Sequence, residues 1–131
     1  MVRELIAPAP NQIAWRDVTL PPLQPDQIRV TALYGAAKHG TEMALYKGYA
    51  APRGGYDKTL RLHRAELPGV NYPVALGNII VGEVVEAGSQ VTAHAPGDRV
   101  FRYAPFRPEH IWPQTVRRLP PGVPWQAAVC L

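Results

Sequence analysis

The sequence predicts a mainly β domain, a partly open β-barrel with one or two short helices. Short runs rich in β-branched and aromatic residues recur along the chain, and turn signals separate them. Eleven glycines and fifteen prolines are spread through the 131 residues, so they punctuate turns and do not form one low-complexity block. A helical pattern replaces the β pattern clearly at one place, residues 41–48.

The predicted strands follow one another along the chain. They are Val2–Ile6, Gln12–Val18, Gln27–Tyr34, Asn78–Gly88, Arg99–Tyr103, Glu109–Trp112 and Thr115–Leu119. The third alternates apolar and polar residues for most of its length, as a half-buried strand does. The fourth is the longest and contains Gly82, where a bulge or a close backbone approach is the usual reason for glycine inside a strand.

The predicted helix begins near Thr41, whose hydroxyl can cap its N-terminus, and ends at Gly48, which can adopt the left-handed conformation. Residues 49–73 are rich in glycine, proline and charge, which indicates a long surface excursion with one helical turn near Leu60–Leu67.

The last nine residues, 123–131, look like the start of a second helix with Pro124 in its first turn. Two helical turns are not stable alone in water, so we expect this mostly apolar segment to fray or to pack against a second chain. The predicted division is a domain at 1–122, followed at 123–131 by the truncated start of a helix that would lead into a further domain. Self-association through this segment is one expected outcome.

Composition and charge argue against a nucleic-acid site, a bilayer-spanning segment and a signal sequence. The net charge is +4, and the basic residues Arg53, Lys58, Arg61 and Arg64 lie in one stretch. No aromatic ladder is interleaved with them, so a solvated loop is favoured over a nucleic-acid site. No run is long enough to span a bilayer or to act as a signal sequence, and the single cysteine, Cys130, is compatible with the cytoplasm.

Three stretches carry a family resemblance. Residues 39–42 read His-Gly-Thr-Glu and lead into the predicted helix; residues 73–88 place glycines at 77, 82 and 88 around a β-branched strand; residues 97–100 read Gly-Asp-Arg-Val. In order and spacing they resemble the N-terminal GroES-like domain of the medium-chain dehydrogenase/reductase superfamily, which includes the zinc-type alcohol dehydrogenases.

The resemblance implies a GroES-like fold and a following Rossmann domain that holds NAD(P). No glycine-rich nucleotide-binding turn occurs in these residues, so no cofactor-binding residue is predicted in this chain, and the chain alone is expected to be inactive. The zinc enzymes carry Cys at the position of His39 and His-Glu at the positions of Asn78 and Ile79. With these ligands replaced and no cysteine tetrad, no zinc is predicted.

The resemblance also nominates the site residues. His39 and Thr41 are the candidate catalytic residues, and Glu42 and Asn78 are candidates for the substrate cleft or its support. For each a plainer role stays open: a loop histidine capping a turn, a helix cap for Thr41, an acid facing the helix dipole for Glu42, and a polar residue satisfying backbone for Asn78.

The other histidines and the tryptophans are predicted to have structural roles. His63, His94 and His110 lack partners at ligand spacing and are interpreted as surface or satisfied residues. The tryptophans are interpreted as packing residues; they are Trp15, Trp112 and Trp125.

Two functions remain in competition. The first is the substrate-binding half of an NAD(P)-dependent oxidoreductase acting on a small molecule, with a Rossmann domain supplied in cis or in trans. The alternative is a free-standing GroES-like binding module, or one half of a split dehydrogenase.

Overall fold

The computed structural model describes residues 1–49, 56–63 and 70–130. Its strands, numbered β1 to β10 in chain order, are Val2–Ala7, Ala14–Val18, Gln27–Ala36, Tyr56–Asp57, Leu62–His63, Val74–Ala75, Ile79–Ala87, Arg99–Tyr103, Glu109–Pro113 and Arg117–Arg118. One α-helix, α1, spans His39–Lys47, and a 3-10 helix spans Ala127–Cys130.

The strands form antiparallel sheets. The largest has the order β10-β8-β7-β3-β9, the second has the order β2-β1-β6, and β4 and β5 make a separate hairpin. The prediction of a mainly β chain is therefore confirmed, and the arrangement is consistent with a GroES-like fold. The sheets do not close into a barrel within the part of the chain that the structure describes.

The main core lies against one face of the five-stranded sheet, because alternate residues of a strand point to the same face. Its buried members are Ile28, Val30, Ile80, Val84, Val100, Ala104 and Trp112. Gly82 lies at the centre, opposite Ala32 and beside a register shift between Ala32 and Tyr34. A Cβ at Gly82 would stand 2.6 Å from the Thr31 carbonyl oxygen, so the close backbone approach predicted there is confirmed.

Two helical predictions need correction. The helix α1 begins at His39, two residues earlier than expected, and the residue before it, Lys38, makes no side-chain capping bond. The helical turn expected near Leu60–Leu67 is absent from residues 60–63, where a turn leads into the strand Leu62–His63. Residues 64–67 lie outside the described residues, as do Arg53 and Arg64 of the basic stretch; Lys58 and Arg61 are exposed.

The C-terminal segment packs against its own sheet. Ala128 is fully buried in a second cluster with Val81 of β7 and Leu119, and the ring of Trp125 meets Tyr34 edge-to-face at 5.4 Å. The expectation that residues from about 123 onward fray or need a second chain is thus wrong through Val129. The outer face of β7 and β8 carries apolar side chains that bury this segment, which the strand pattern alone did not indicate.

No helix among the described residues is long and apolar enough to cross a membrane.

Candidate functional site

The predicted site residues converge at one end of the β3–β7 pair. Ala36, the last residue of β3, lies opposite Ile79, the first residue of β7. His39 follows three residues after Ala36, and Asn78 immediately precedes Ile79. The register therefore brings the beginning of α1 and the beginning of β7 to the same edge of the sheet, although their sequence positions differ by about forty.

The neighbouring strand β8 ends at the same edge. Tyr103 lies opposite Ile79, and the Ala104 amide donates to the Asn78 carbonyl oxygen at 2.7 Å. The Tyr103 side chain is exposed. Sequence reasoning missed Tyr103 as a neighbour of this edge, because only the strand register shows that β8 ends beside β7.

Hydrogen bonds at both ends hold α1 in place. The Glu42 carboxylate Oε2 accepts the Lys38 amide at 2.8 Å, which closes the N-terminal turn. At the other end Gly48 takes the predicted left-handed conformation, with φ 80°, and the Tyr72 hydroxyl donates to the Leu45 carbonyl oxygen at 2.6 Å.

The geometry separates the roles that the sequence left open for Thr41 and Glu42. Thr41 lies inside the first turn of α1, so its predicted N-cap role is wrong; its side chain is exposed. Glu42 is the first-turn acid of the plainer interpretation, and it bonds the backbone before the helix. Its second oxygen, Oε1, is buried and has no hydrogen-bond partner.

His39 and Asn78 differ sharply in burial. His39 is exposed at the first position of α1, whereas Asn78 is 1% exposed. Among the described residues no hydrogen bond joins the two side chains, and the Asn78 amide oxygen Oδ1 has no partner. A buried acceptor without a donor costs about 1–3 kcal/mol, and this oxygen is enclosed by the surrounding protein.

The donor set at this edge does not suit zinc. The described residues contain no group of three His, Cys, Asp or Glu side chains close enough to hold a metal ion. Asn78 offers a neutral amide, and one Glu42 oxygen is already bonded to the backbone. A catalytic zinc site needs three protein ligands, mostly imidazole and thiolate, which these side chains do not supply.

His110 was interpreted from sequence as a surface or satisfied residue; the surface part of that interpretation is wrong, and the ring is only partly satisfied, through a backbone hydrogen bond with Arg107. It is 2% exposed, and its Nε2 has no hydrogen-bond partner. Burial and, to a lesser extent, the Arg107 guanidinium lower the pKa of His110 from 6.5 to about 4. His94 matches its prediction in part, because its Nε2 lies 3.1 Å from the Val116 carbonyl oxygen, whereas its buried Nδ1 has no hydrogen-bond partner among the described residues.

Stability is expected to fall in mild acid because of His110. Its pKa is lower in the folded chain than in the unfolded chain, so the neutral form that folding requires is fully available only above pH 6.5. As the pH falls from 7.5 to 5, the unfolded chain binds a proton at this imidazole that the folded chain does not, which should lower the free energy of unfolding by about 2 kcal/mol. The charges that act on it are Arg107, Glu4 and Arg102.

Urea unfolding across this pH range checks the prediction. A His110→Phe variant should lose most of the slope, since it keeps a ring against Trp112 without a titrating nitrogen. An unchanged slope in the variant would assign the acid sensitivity to carboxylates.

Two of the three tryptophans pack as predicted, and one does not. Trp112 is 4% exposed and packs in the main core, and Trp125 packs on Tyr34, as predicted. Trp15 is 53% exposed on β2, so its assignment to packing is wrong.

Comparison with known proteins identifies the family. The family model of the alcohol dehydrogenase GroES-like domain matches residues 36–111, the range that contains α1, β7 and the candidate site. The chain belongs to the alcohol dehydrogenase GroES-like domain family. It is therefore part of the medium-chain dehydrogenase/reductase superfamily, which confirms the resemblance inferred from the motifs.

Individual relatives agree with this membership. D-guloside 3-dehydrogenase of Escherichia coli (strain K12) is 30% identical over an alignment of 140 residues. The alignment covers 98% of this chain and 40% of that protein. The quinone oxidoreductase of Coxiella burnetii superposes with a TM-score of 0.66 at 20% identity, covering 99% of this chain and 40% of the other. A structure described as a zinc-binding dehydrogenase of Sinorhizobium meliloti 1021 bound to NADP superposes with a TM-score of 0.60 at 19% identity, covering 95% of this chain and 40% of the other. The chain spans about two fifths of the length of these relatives.

Proposed function

We propose that this chain is the substrate-binding domain of a zinc-independent, NAD(P)-dependent oxidoreductase acting on a small molecule. The observation that carries the proposal is the family match across residues 36–111, together with the register that joins α1 and β7 at one exposed edge. The E. coli relative acts on a guloside and the Coxiella relative on a quinone, so the reacting group is proposed to be a carbonyl or the corresponding alcohol.

The nicotinamide cofactor is proposed to be held by a Rossmann domain in cis or in trans. The strand pairs of the described residues are all antiparallel, and no parallel βαβ unit with a phosphate-binding glycine turn occurs among them. The cofactor supplies the hydride. We also propose that this chain is inactive alone and that it is located in the cytoplasm.

The residues of this chain would bind and orient the substrate. The exposed imidazole of His39 can donate a hydrogen bond or a proton to a substrate oxygen. Asn78 is buried, so its proposed role is to support this edge, where its backbone carbonyl oxygen accepts the Ala104 amide. The exposed hydroxyl of Thr41 stands two residues further along the same turn of α1.

A second candidate is the free-standing GroES-like module or split half. One observation favours it: residues 123–129 bury their apolar side chains on the chain's own β7, so they do not require a second chain for burial. The reading frame that follows Leu131 distinguishes the candidates, because a continuous glycine-rich βαβ unit favours the oxidoreductase and a stop codon favours the module or a half completed in trans.

The test combines this chain with a nucleotide-binding half, in cis or in trans. NAD(P)H oxidation is followed with quinones and keto-sugars, and NAD(P)⁺ reduction with sugar alcohols and glycosides. We expect turnover only in the combined protein, and a His39→Ala loss of about a hundredfold in kcat/KM. Lys47→Ala, at the far end of α1, is the matched control and should be unchanged. Saturable NADPH binding by the 131 residues alone, or full activity in His39→Ala, would contradict the proposal.

A further inference from the structure

A cavity of about 450 Å³ lies between the β1–β2 ribbon and the second half of β3. Its walls include Trp15 of β2, Leu33 and Tyr34 of β3, and Phe106. None of the candidate residues His39, Thr41, Glu42 and Asn78 lines it, although Gly35 and Ile80, which do, pair next to the edge of the candidate site. Its volume is in the range that holds small organic ligands.

The cavity gathers apolar side chains that are unusually open to solvent. Trp15 is 53% exposed, and Leu33 and Tyr34 are each 40% exposed. Leu33 and Tyr34 are neighbours in sequence, yet both line the cavity, because the register of β3 shifts between Ala32 and Tyr34. Bulges re-aim side chains in this way beside binding sites. A cluster of exposed aromatic and aliphatic surface indicates a ligand or an interface.

The base of the cavity depends on a glycine. A Cβ at Gly35 would stand 2.7 Å from Ile80 Cδ1 and 2.8 Å from Phe106 Cε1. With no side chain at Gly35, the Phe106 ring lies directly against the β3 backbone. Any larger residue there would push Phe106 or Ile80 out of position.

The charges around the cavity are mainly positive. The Arg3 guanidinium lies 5.4 Å from the centroid of the Trp15 ring, and Arg107 also lines the cavity. Nε of Arg107 donates to Oε1 of the buried Glu4 at 2.6 Å, and Nε of Arg16 donates to Oε2 at 2.7 Å. Strands β1 and β2 together with Arg107 carry three positive side chains, Arg3, Arg16 and Arg107. They carry two negative side chains, Glu4 and Asp17, so their net charge is +1 (3 − 2).

We propose that this cavity binds a small organic anion whose body is apolar, such as an aryl or acyl carboxylate. The carboxylate pairs with Arg3, and the apolar body packs on Trp15, Tyr34 and Phe106. A planar guanidinium suits a carboxylate, and aromatic rings suit a flat apolar body. The inference does not depend on hydride transfer, because the cavity excludes the four candidate residues of the oxidoreductase site.

The test uses two probes of the same shape, naphthoate and the neutral naphthylmethanol, titrated into the purified chain by calorimetry. We expect naphthoate to bind saturably and about fivefold more tightly than the alcohol. Arg3→Gln should remove that preference and leave alcohol binding unchanged, and Trp15→Ala should weaken both probes about tenfold. Arg99→Gln removes the same charge from an exposed position on β8 outside the cavity, so it should bind like the original chain.

Three results would overturn the proposal. They are absence of saturable binding of naphthoate, equal affinity for both probes in the original chain, or equal effects of Arg3→Gln and Arg99→Gln. Sedimentation of the ligand-free chain tests whether a second copy of the chain occupies this cavity instead of a ligand. Self-association that Trp15→Ala abolishes would show that this surface joins two copies of the chain, and would likewise overturn the anion site.

Discussion

Replacing Gly82 by valine should destabilise the chain by about 4 kcal/mol. Gly82 lies in β7 against β3, where an added Cβ would clash with Val30 Cγ1 and stand 2.6 Å from the Thr31 carbonyl oxygen. A backbone oxygen cannot rotate away as a flexible side chain can, so β3 and β7 would have to separate. Overpacking at such a position costs several kcal/mol and is among the largest effects of a single substitution.

The matched control is Gly40→Ala, a glycine substitution in open space. No atom lies within 4 Å of a Cβ placed at Gly40, which is inside α1. That variant should gain about 0.5–1 kcal/mol from better helix propensity. Urea unfolding of the two variants beside the original chain measures both effects. A Gly82→Val chain with unchanged stability would show that the close strand approach described here is wrong.

Removing the buried carboxylate of Glu4 should cost about 3 kcal/mol. Glu4 is fully buried and holds Arg16 and Arg107, whose side chains are 41% and 26% exposed. In Glu4→Ala the two arginines lose their shared counter-ion, and a cavity opens under β1. The partial exposure of the arginines keeps the cost at the lower end of the range for breaking a buried pair, because water can solvate them.

Glu86→Ala provides the comparison. Glu86 pairs with Arg29 at 2.9 Å, but its side chain is 55% exposed. Exposed ion pairs contribute about 0–1 kcal/mol, so this variant should lose little. Thermal unfolding at neutral pH distinguishes them, and equal losses in the two variants would show that burial adds nothing to the Glu4 pair.

The strands were predictable because their signals are local. Arg99–Tyr103 was predicted with its observed bounds, and the central strand Asn78–Gly88 differs from β7 by one residue at each end. Alternation and β-branched residues mark such strands directly. The two-residue strand Val74–Ala75 was missed, because its pairing with β1 depends on a residue contact about seventy positions away.

The site was predictable only in part. The family motifs named His39 and Asn78, and the register of β3 and β7 places them at one edge. The N-cap assigned to Thr41 failed because Glu42 bonds the Lys38 amide from within the helix, so the first turn extends back to His39. The burial of His110 and the cavity beside Trp15 could not be predicted, since each depends on how separate strands pack together. No period or motif marks either of them.

Zinc content tests the central claim most directly. The claim is that this GroES-like domain binds substrate through hydrogen bonds from the edge that bears His39 and Asn78, without a catalytic metal. Elemental analysis of the chain, purified without chelator and dialysed against zinc, should give far less than one zinc per chain, and His39→Ala should not change it. About one zinc per chain, lost on His39→Ala, would contradict the account and return this site to the zinc-dependent enzymes.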